Sequence, residues 1–334
     1  MLDRPTEALV ELTGITKTFS RYEDFFERTV RKMTRGAAPS AVRALDNIDL
    51  RIRKGEVVGL AGESGCGKST LGRIAAGLMS PTNGSVHYRG GDISRLKGRE
   101  ATQAKLKMQL IFQDPFASLN PRRRAFDIVS AAPLYHGLVS SREVRSYVER
   151  QMERAGLDPS FGQRFPHQFS GGQRQRLGIA RALAVNPEFV VCDESVAALD
   201  VSIQAQIINL FIDLRKDLDL TYLFISHDLG VINHLCDRVV IMYLGRVVEQ
   251  APTRELFARP NHPYTIGLLN EVPKIEHSKR SYSAISGEIP SPLAPPPGCH
   301  FHTRCKHAMD RCRNEVPKLK KLTETHLSAC HLND

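Results

Sequence analysis

Gly62-Glu63-Ser64-Gly65-Cys66-Gly67-Lys68-Ser69-Thr70, GESGCGKST, is the stretch that decides how the rest of this chain is read. Before it stands the apolar run Val57-Val58-Gly59-Leu60-Ala61, the pattern of a buried strand; after it Leu71, Ile74, Ala75 and Leu78 recur at helical spacing. Strand, glycine-rich loop and helix in that order are the context a phosphate-binding loop requires. Gly62, Gly65 and Gly67 let the backbone turn so that successive N–H groups face one anion. The helix start at Lys68 adds its partial positive charge to the same spot. Lys68 is then expected to reach the β- and γ-phosphates of a bound nucleotide, and the Ser69 hydroxyl to ligate Mg²⁺.

Upstream of the loop, residues 9–12 and 15–19 read as two short strands split by a turn at Gly14. Phe19 is the nearest upstream aromatic for an adenine to stack on, and equally a sheet-face core residue. Residues 21–39 form a polar, basic insertion with Phe25, Phe26 and Val30 at partly helical spacing, and no chemistry is assigned to them. Residues 48–52 alternate as a half-buried strand, and Lys54-Gly55-Glu56 turns into the run before the loop. Downstream, Pro81-Thr82-Asn83-Gly84 is a turn leading to a strand at residues 85–88. Leu110-Ile111-Phe112 reads as a buried strand ending at Gln113-Asp114-Pro115, which puts an amide where open α/β sheets bind ligands. Residues 120–158 carry helical periodicity without site markers, as a helical insertion between sheet strands.

Phe169-Ser170-Gly171-Gly172-Gln173 then opens a helix. Ser170 is a good N-cap, and two glycines in the first turn leave N–H groups unobstructed, a second anion-binding helix start. Phe189-Val190-Val191-Cys192-Asp193-Glu194 is an apolar strand ending in two acids. Asp193 is placed to hold the Mg²⁺ water shell, and Glu194 to polarise a water for in-line attack on a γ-phosphate. Leu199-Asp200 follows in a loop. A further strand at residues 222–226 ends in His227, one strand end along the same sheet edge.

The chain has 334 residues, 41% of them hydrophobic and 25% charged, which suits one to three globular domains. Its net charge of +10 is compatible with nucleic acid, an anionic membrane surface or nucleotide phosphates, and does not choose among them. No stretch is apolar for long enough to span a bilayer, and residues 1–10 hold no signal-peptide core. The expectation is a protein that is soluble or held at a membrane by something else. Cys66 inside the loop points to a reducing compartment.

In this order these motifs resemble the nucleotide-binding subunit of ATP-binding cassette (ABC) transporters. GESGCGKST matches Walker A, Gln113 the Q-loop, FSGGQ the signature motif with Phe169 for the usual Leu, VVCDE Walker B with its glutamate, Leu199-Asp200 the D-loop, and His227 the switch histidine. The likeness covers about residues 9–250; Ser195-Val196-Ala197-Ala198 departs from the usual Pro-Val-Ser-Ala and leaves the acids intact. It implies an α/β P-loop NTPase fold with a RecA-like core sheet, an antiparallel β subdomain and a helical subdomain at about 114–170, all within 1–250. It also implies two cassettes meeting head to tail, with each ATP between one loop and the other's Ser170, Gly171, Gly172 and Gln173. Gln113 joins Ser69 and Asp193 as an implied Mg²⁺ ligand, Asp200 joins the nucleotide contacts, and Lys68, Gln113, Glu194 and His227 are the implied catalytic set.

The remainder, 251–334, resembles the C-terminal extension of dipeptide/oligopeptide importer ATPases, through Asn261-His262-Pro263-Tyr264-Thr265, Gly287-Glu288-Ile289-Pro290-Ser291-Pro292 and the segment from Gly298 to Cys305. Cys299, Cys305, Cys312 and Cys330 make a metal-site count at spacings that lack the hairpin pairs of zinc sites. A segment this small and poor in apolar periodicity usually needs a metal to fold. The cysteines therefore read as [4Fe–4S] ligands, as the resemblance also implies, with Zn²⁺ or free reduced thiols as alternatives. The resulting expectation is an ATP-hydrolysing subunit of a di/oligopeptide importer, peripheral at the cytoplasmic face of the inner membrane. Its implied partners are a second ATPase subunit, two membrane-spanning permeases and, indirectly, an extracytoplasmic solute-binding protein, with no nucleic acid. The alternatives are a nickel or other solute importer of the same family, or a soluble ABC ATPase of DNA repair or translation.

Overall fold

The structure, a computed structural model, describes residues 8–20, 41–197, 199–271, 285 and 287–334, so the 21–39 insertion lies outside the described residues. Val10, Leu12 and, past Gly14, Ile15 are buried along one strand, β1 (Ala8–Ser20), where the sequence suggested two. Gly14 has a φ of +61°, and the register against β2 (Ala41–Arg53) shifts between Leu12 and Ile15. The expected turn is thus an irregularity inside the strand, which bends the pairing without ending it. The chain then enters β3 (Val57–Ala61) of a second sheet, and returns to the first through β4 (Asn83–Tyr88) and β5 (Gly91–Asp92). The first sheet is antiparallel, in the order β2–β1–β4–β5.

The larger sheet adds β6 (Met108–Ile111), β7 (Phe189–Asp193), β8 (Thr221–Ile225), β9 (Arg238–Tyr243), β10 (Arg246–Pro252), β11 (Lys320–Lys321) and β12 (Leu327–Ser328). Its order is β11–β12–β10–β9–β3–β8–β7–β6, and the run from β9 to β6 is parallel. Side chains along these strands alternate between two cores. Val190, Cys192, Tyr222 and Phe224 pack toward Phe211 and Leu214 of the helix Val201–Leu218. Val191, Leu223, Ile225 and Leu60 pack on the other side with Leu71 and Ile74 of the helix Lys68–Ala75 and with β1 and β2. Burial on both faces is why the strands read as continuous apolar runs in the sequence.

Two consequences bear on function. The parallel strands all end at one edge, so the loops beginning at Gly62, Phe112, Glu194, Ser226 and Leu244 share it. Among the described residues the C-terminal segment builds no separate core: β12 pairs with β10, Ser328 opposite Glu249, and Phe301, 3% exposed, joins the main core against Tyr243 and Tyr264. Between the sheet strands lie the helices Ala125–Tyr135 and Val144–Arg154, packed through Val129, Val148 and Met152, where a helical insertion was expected. No helix among the described residues is long and apolar enough to cross a membrane.

Candidate nucleotide site

The loop after β3 is shaped by its glycines. Gly62, Gly65 and Gly67 have φ of +150°, +78° and +105°. A side chain at Gly62 would strike the Met242 carbonyl at 2.2 Å and one at Gly67 the Ala44 carbonyl at 2.5 Å, whereas Gly65 faces open space. Two glycines thus let the loop lie against its neighbours, and the third leaves a cradle uncovered. Lys68, only 4% exposed, turns back so that Nζ donates to the carbonyls of Gly62 (2.7 Å) and Glu63 (3.0 Å). Its charge sits at the centre of the loop, at the start of a helix, which suits an anion of several charges.

Beside it the Ser69 hydroxyl donates to Asp193 Oδ1 at 2.7 Å, joining the first turn of that helix to the end of β7. Burial raises the Asp193 carboxyl above its usual range, and the Ser69 bond pulls the other way. A hydroxyl and a carboxylate in contact form a hard-oxygen pair that fits Mg²⁺. One residue on, Glu194 has a φ of +44°, uncommon for a side chain of this size, and its N–H donates to Ile225 O at 3.0 Å. That turn sets its carboxylate between two partners: Gln113 Nε2 donates to Oε2 at 2.7 Å, and His227 Nδ1 lies 3.6 Å from Oε1. Gln113, Glu194 and His227 follow β6, β7 and β8, so three adjacent strand ends meet on one carboxylate.

Ser170 caps the helix Gly171–Leu183 in reciprocal fashion: its Oγ accepts the Gln173 N–H at 3.3 Å, and Gln173 Oε1 accepts the Ser170 N–H at 3.0 Å. Gly171 and Gly172 pack beside Leu199 and Ile203, near Asp200 at the start of the next helix. Among the described residues, no hydrogen bond or ion pair joins residues 170–173 to residues 62–70. Phe19 is 41% exposed at the end of β1, with Lys17 Nζ 5.3 Å from its ring centre.

The metal expectation for Cys299, Cys305, Cys312 and Cys330 requires correction. Among the described residues, no three His, Cys, Asp or Glu side chains come together in a way that could hold a metal ion. The expectation assumed that this segment had nothing to fold on. Docking on β10 and on Tyr243 and Tyr264 removes that premise, for the iron–sulfur cluster and for zinc alike.

Two residues at the loop figured in the sequence only within the C-terminal resemblance, with no role at the site. Arg304 donates to both Glu63 carboxylate oxygens, and the Tyr264 hydroxyl accepts the Glu63 N–H. They stand 241 and 201 residues from Glu63, and no local pattern joins positions so far apart.

The ABC transporter family matches residues 45–197, and the C-terminal region of oligopeptide/dipeptide transporters matches residues 248–312. The oligopeptide transport ATP-binding protein AppF of Bacillus subtilis (strain 168) is 46% identical over 330 residues, 98% of either chain. The dipeptide transport ATP-binding protein DppF of Haemophilus influenzae is 43% identical over 295 residues, 88% of this chain and 90% of its own. Among solved structures, the ATP-binding cassette MJ0796, described as a dimeric post-hydrolysis state with ADP and Pi, aligns with a TM-score of 0.62 at 30% identity. That alignment takes in 99% of the cassette and 73% of this chain.

Proposed function

This chain belongs to the ABC transporter family, among its oligopeptide/dipeptide ATP-binding proteins, and from that premise we propose that it hydrolyses ATP to drive import of di- and oligopeptides. The observation that carries the reading is the Glu194 carboxylate held between Gln113 and His227, next to the Ser69–Asp193 pair and the Lys68 loop.

Residues 62–70 bind the triphosphate through their N–H groups and Lys68, and Phe19 receives the adenine. Ser69, Asp193 and Gln113 would hold Mg²⁺, which would supply charge neutralisation at the phosphate oxygens. Glu194 orients a water and accepts its proton, and Gln113 and His227 keep the carboxylate aimed. The second nest of N–H groups, at residues 170–173, together with Asp200, serves the nucleotide of a facing subunit. The related cassette described as dimeric with ADP and Pi supports a facing subunit. We divide the chain into a nucleotide-binding domain, 1–250, with a helical subdomain at 114–170 that meets a membrane-spanning permease, and an extension, 251–334. The assembly is then peripheral at the cytoplasmic face of the inner membrane, with a second ATPase subunit and two permeases.

Glu194→Gln keeps the shape of the site and loses the base. It should bind ATP normally, accumulate as a closed dimer, and hydrolyse about 10²–10⁴-fold more slowly. Near-normal turnover would overturn the role of Glu194. Purification from membranes should bring membrane-spanning subunits with the chain, and their consistent absence would overturn the transport reading while leaving the ATPase standing.

A further inference from the structure

The C-terminal segment reaches the phosphate loop along three routes. Arg304 Nη1 and Nη2 donate to Glu63 Oε2 and Oε1 at 2.7 and 2.9 Å, a two-bond fork from a side chain only 5% exposed. The Tyr264 hydroxyl accepts the Glu63 N–H at 2.8 Å. His300 Nδ1 lies 3.1 Å from the Leu244 carbonyl, and the adjacent Gly245 N–H donates to the Cys66 carbonyl at 3.0 Å.

Glu63 needs such contacts. It is a carboxylate in the second position of a loop built for phosphate, and its charge is felt inside that loop: the Cys66 thiol, raised chiefly by burial, is raised further by Glu63. Its carbonyl is also one of the two that hold Lys68 Nζ, so the orientation of this peptide helps to set where the ammonium sits. An unopposed carboxylate here would repel the nucleotide, and a freely turning one would release Lys68.

We propose that Arg304 is a positioning residue of the nucleotide site, neutralising Glu63 and, with Tyr264, fixing the second residue of the phosphate loop. The segment around Cys299 and Cys305 then acts as a clamp on the loop. Its docking and ATP affinity are coupled, each strengthening the other by the same factor. The proposal rests on nucleotide binding at residues 62–70.

The test is ATP·Mg²⁺ titration and steady-state hydrolysis with the full chain. Arg304→Ala should weaken ATP binding about tenfold, through KM with kcat little changed, and Arg304→Lys should fall between. Adding Glu63→Gln to Arg304→Ala should recover most of the loss, because the repelling charge is gone. A structural role confined to the tail would not respond to that second change. Arg311→Ala with Lys320→Ala, which removes two cations paired with Asp334 and touches no contact to Glu63, should leave ATP affinity alone. Wild-type affinity in Arg304→Ala, or no recovery with Glu63→Gln, overturns the proposal. If Arg304→Ala does not fold, amide exchange decides: ATP should slow exchange at residues 299–305 in the wild type and no longer do so in Glu63→Gln, and equal slowing in both overturns it. A wild type no better than Lys68→Ala at binding ATP would instead indict the nucleotide reading itself.

Discussion

The phosphate loop and the C-terminal segment touch at Glu63, yet they are specified in opposite ways. The glycines and the lysine that give the loop its backbone turns and its charge lie within nine consecutive residues, between a strand and a helix, and residues from elsewhere only pack against or brace them. Residues 287–334 have little local order: among the described residues, a five-residue helix, Asp310–Asn314, a single 3-10 turn, His331–Asn333, two strands of two residues, and contacts that return across more than two hundred positions. The loop gains its geometry from glycine backbone freedom, the segment from a surface that already exists. A motif of the first kind should survive damage elsewhere, whereas a segment of the second kind should come off as a unit when one anchor fails.

Lys68→Ala is the largest expected effect and strikes only the first region. Removing a buried ammonium from the centre of the loop should cost about 10²–10³-fold in ATP affinity. Its hydrogen bonds stay within the loop, to the Gly62 and Glu63 carbonyls and Cys66 Sγ, so protease resistance of residues 287–334 should be unchanged without nucleotide. A segment that becomes protease-sensitive in this variant would show that the two regions are not separable in that direction.

Glu249→Ala strikes the second. This carboxylate is wholly buried, accepts the N–H groups of Asn261 at 2.7 Å and His262 at 3.0 Å, and lies 2.6 Å from His326 Nε2. Its loss strands three donors at once and should cost about 3–5 kcal/mol. Limited proteolysis should then cut first within 287–334, with the parallel sheet still folded. ATP affinity should fall at least as far as in Arg304→Ala, because release of the segment loosens all three of its routes to the loop. Simultaneous loss of sheet and segment in a single transition would break the comparison.

The same contrast explains what the sequence made legible. Lys68, Ser69, Asp193, Glu194, Gln113 and His227 are legible as candidates because each stands at a strand end or helix start that apolar periodicity locates, and parallel topology carries those ends to one edge. The bend at Gly14 was misjudged because a glycine at positive φ reads alike as a turn or as an irregularity within a strand. The four cysteines were misjudged for a different reason. The shortage of apolar residues around these cysteines was real, but the partners that residues 287–334 pack on, Tyr243, Tyr264 and β10, lie outside that stretch, and spacing within a stretch does not show what it leans on.

Acid offers a gentler separation. Burial pushes His262 down to about 4, and its Nδ1 accepts the Tyr264 N–H at 3.1 Å, which requires that nitrogen unprotonated. Burial also pushes His300 down to about 4. A histidine whose folded value lies below its unfolded value binds fewer protons when folded, so its contribution is whole above about pH 6.5 and is lost as pH falls toward 4. For His262 alone the limit is on the order of 3 kcal/mol, of which roughly half is gone by pH 5. The C-terminal segment should therefore become protease-sensitive between pH 6.5 and 4 while the main sheet retains its far-ultraviolet signal. Sensitivity that does not change over that window would sink this account of His262.

Ser170→Ala is the smallest change expected in the chain itself, and it sharpens the contrast by testing a local motif whose proposed use lies in another molecule. The substitution removes the acceptor of the Gln173 N–H and should cost about 1 kcal/mol of stability, as loss of an N-cap does. ATP binding by the isolated chain should not move, because no contact among the described residues links Ser170 to the phosphate loop. In the proposed head-to-tail dimer, hydrolysis should fall by more than that stability change explains, since the hydroxyl then faces the partner's nucleotide. Ser170→Asp separates the two roles. A carboxylate caps a helix start as well as a hydroxyl and favours its positive end, so the fold should be as stable as the wild type. Facing a triphosphate, the same charge repels, and dimer hydrolysis should be lost. Stable Ser170→Asp protein with normal turnover would mean that this helix start is only a well-capped helix, and that the loop at residues 62–70 does its chemistry without help from residues 170–173.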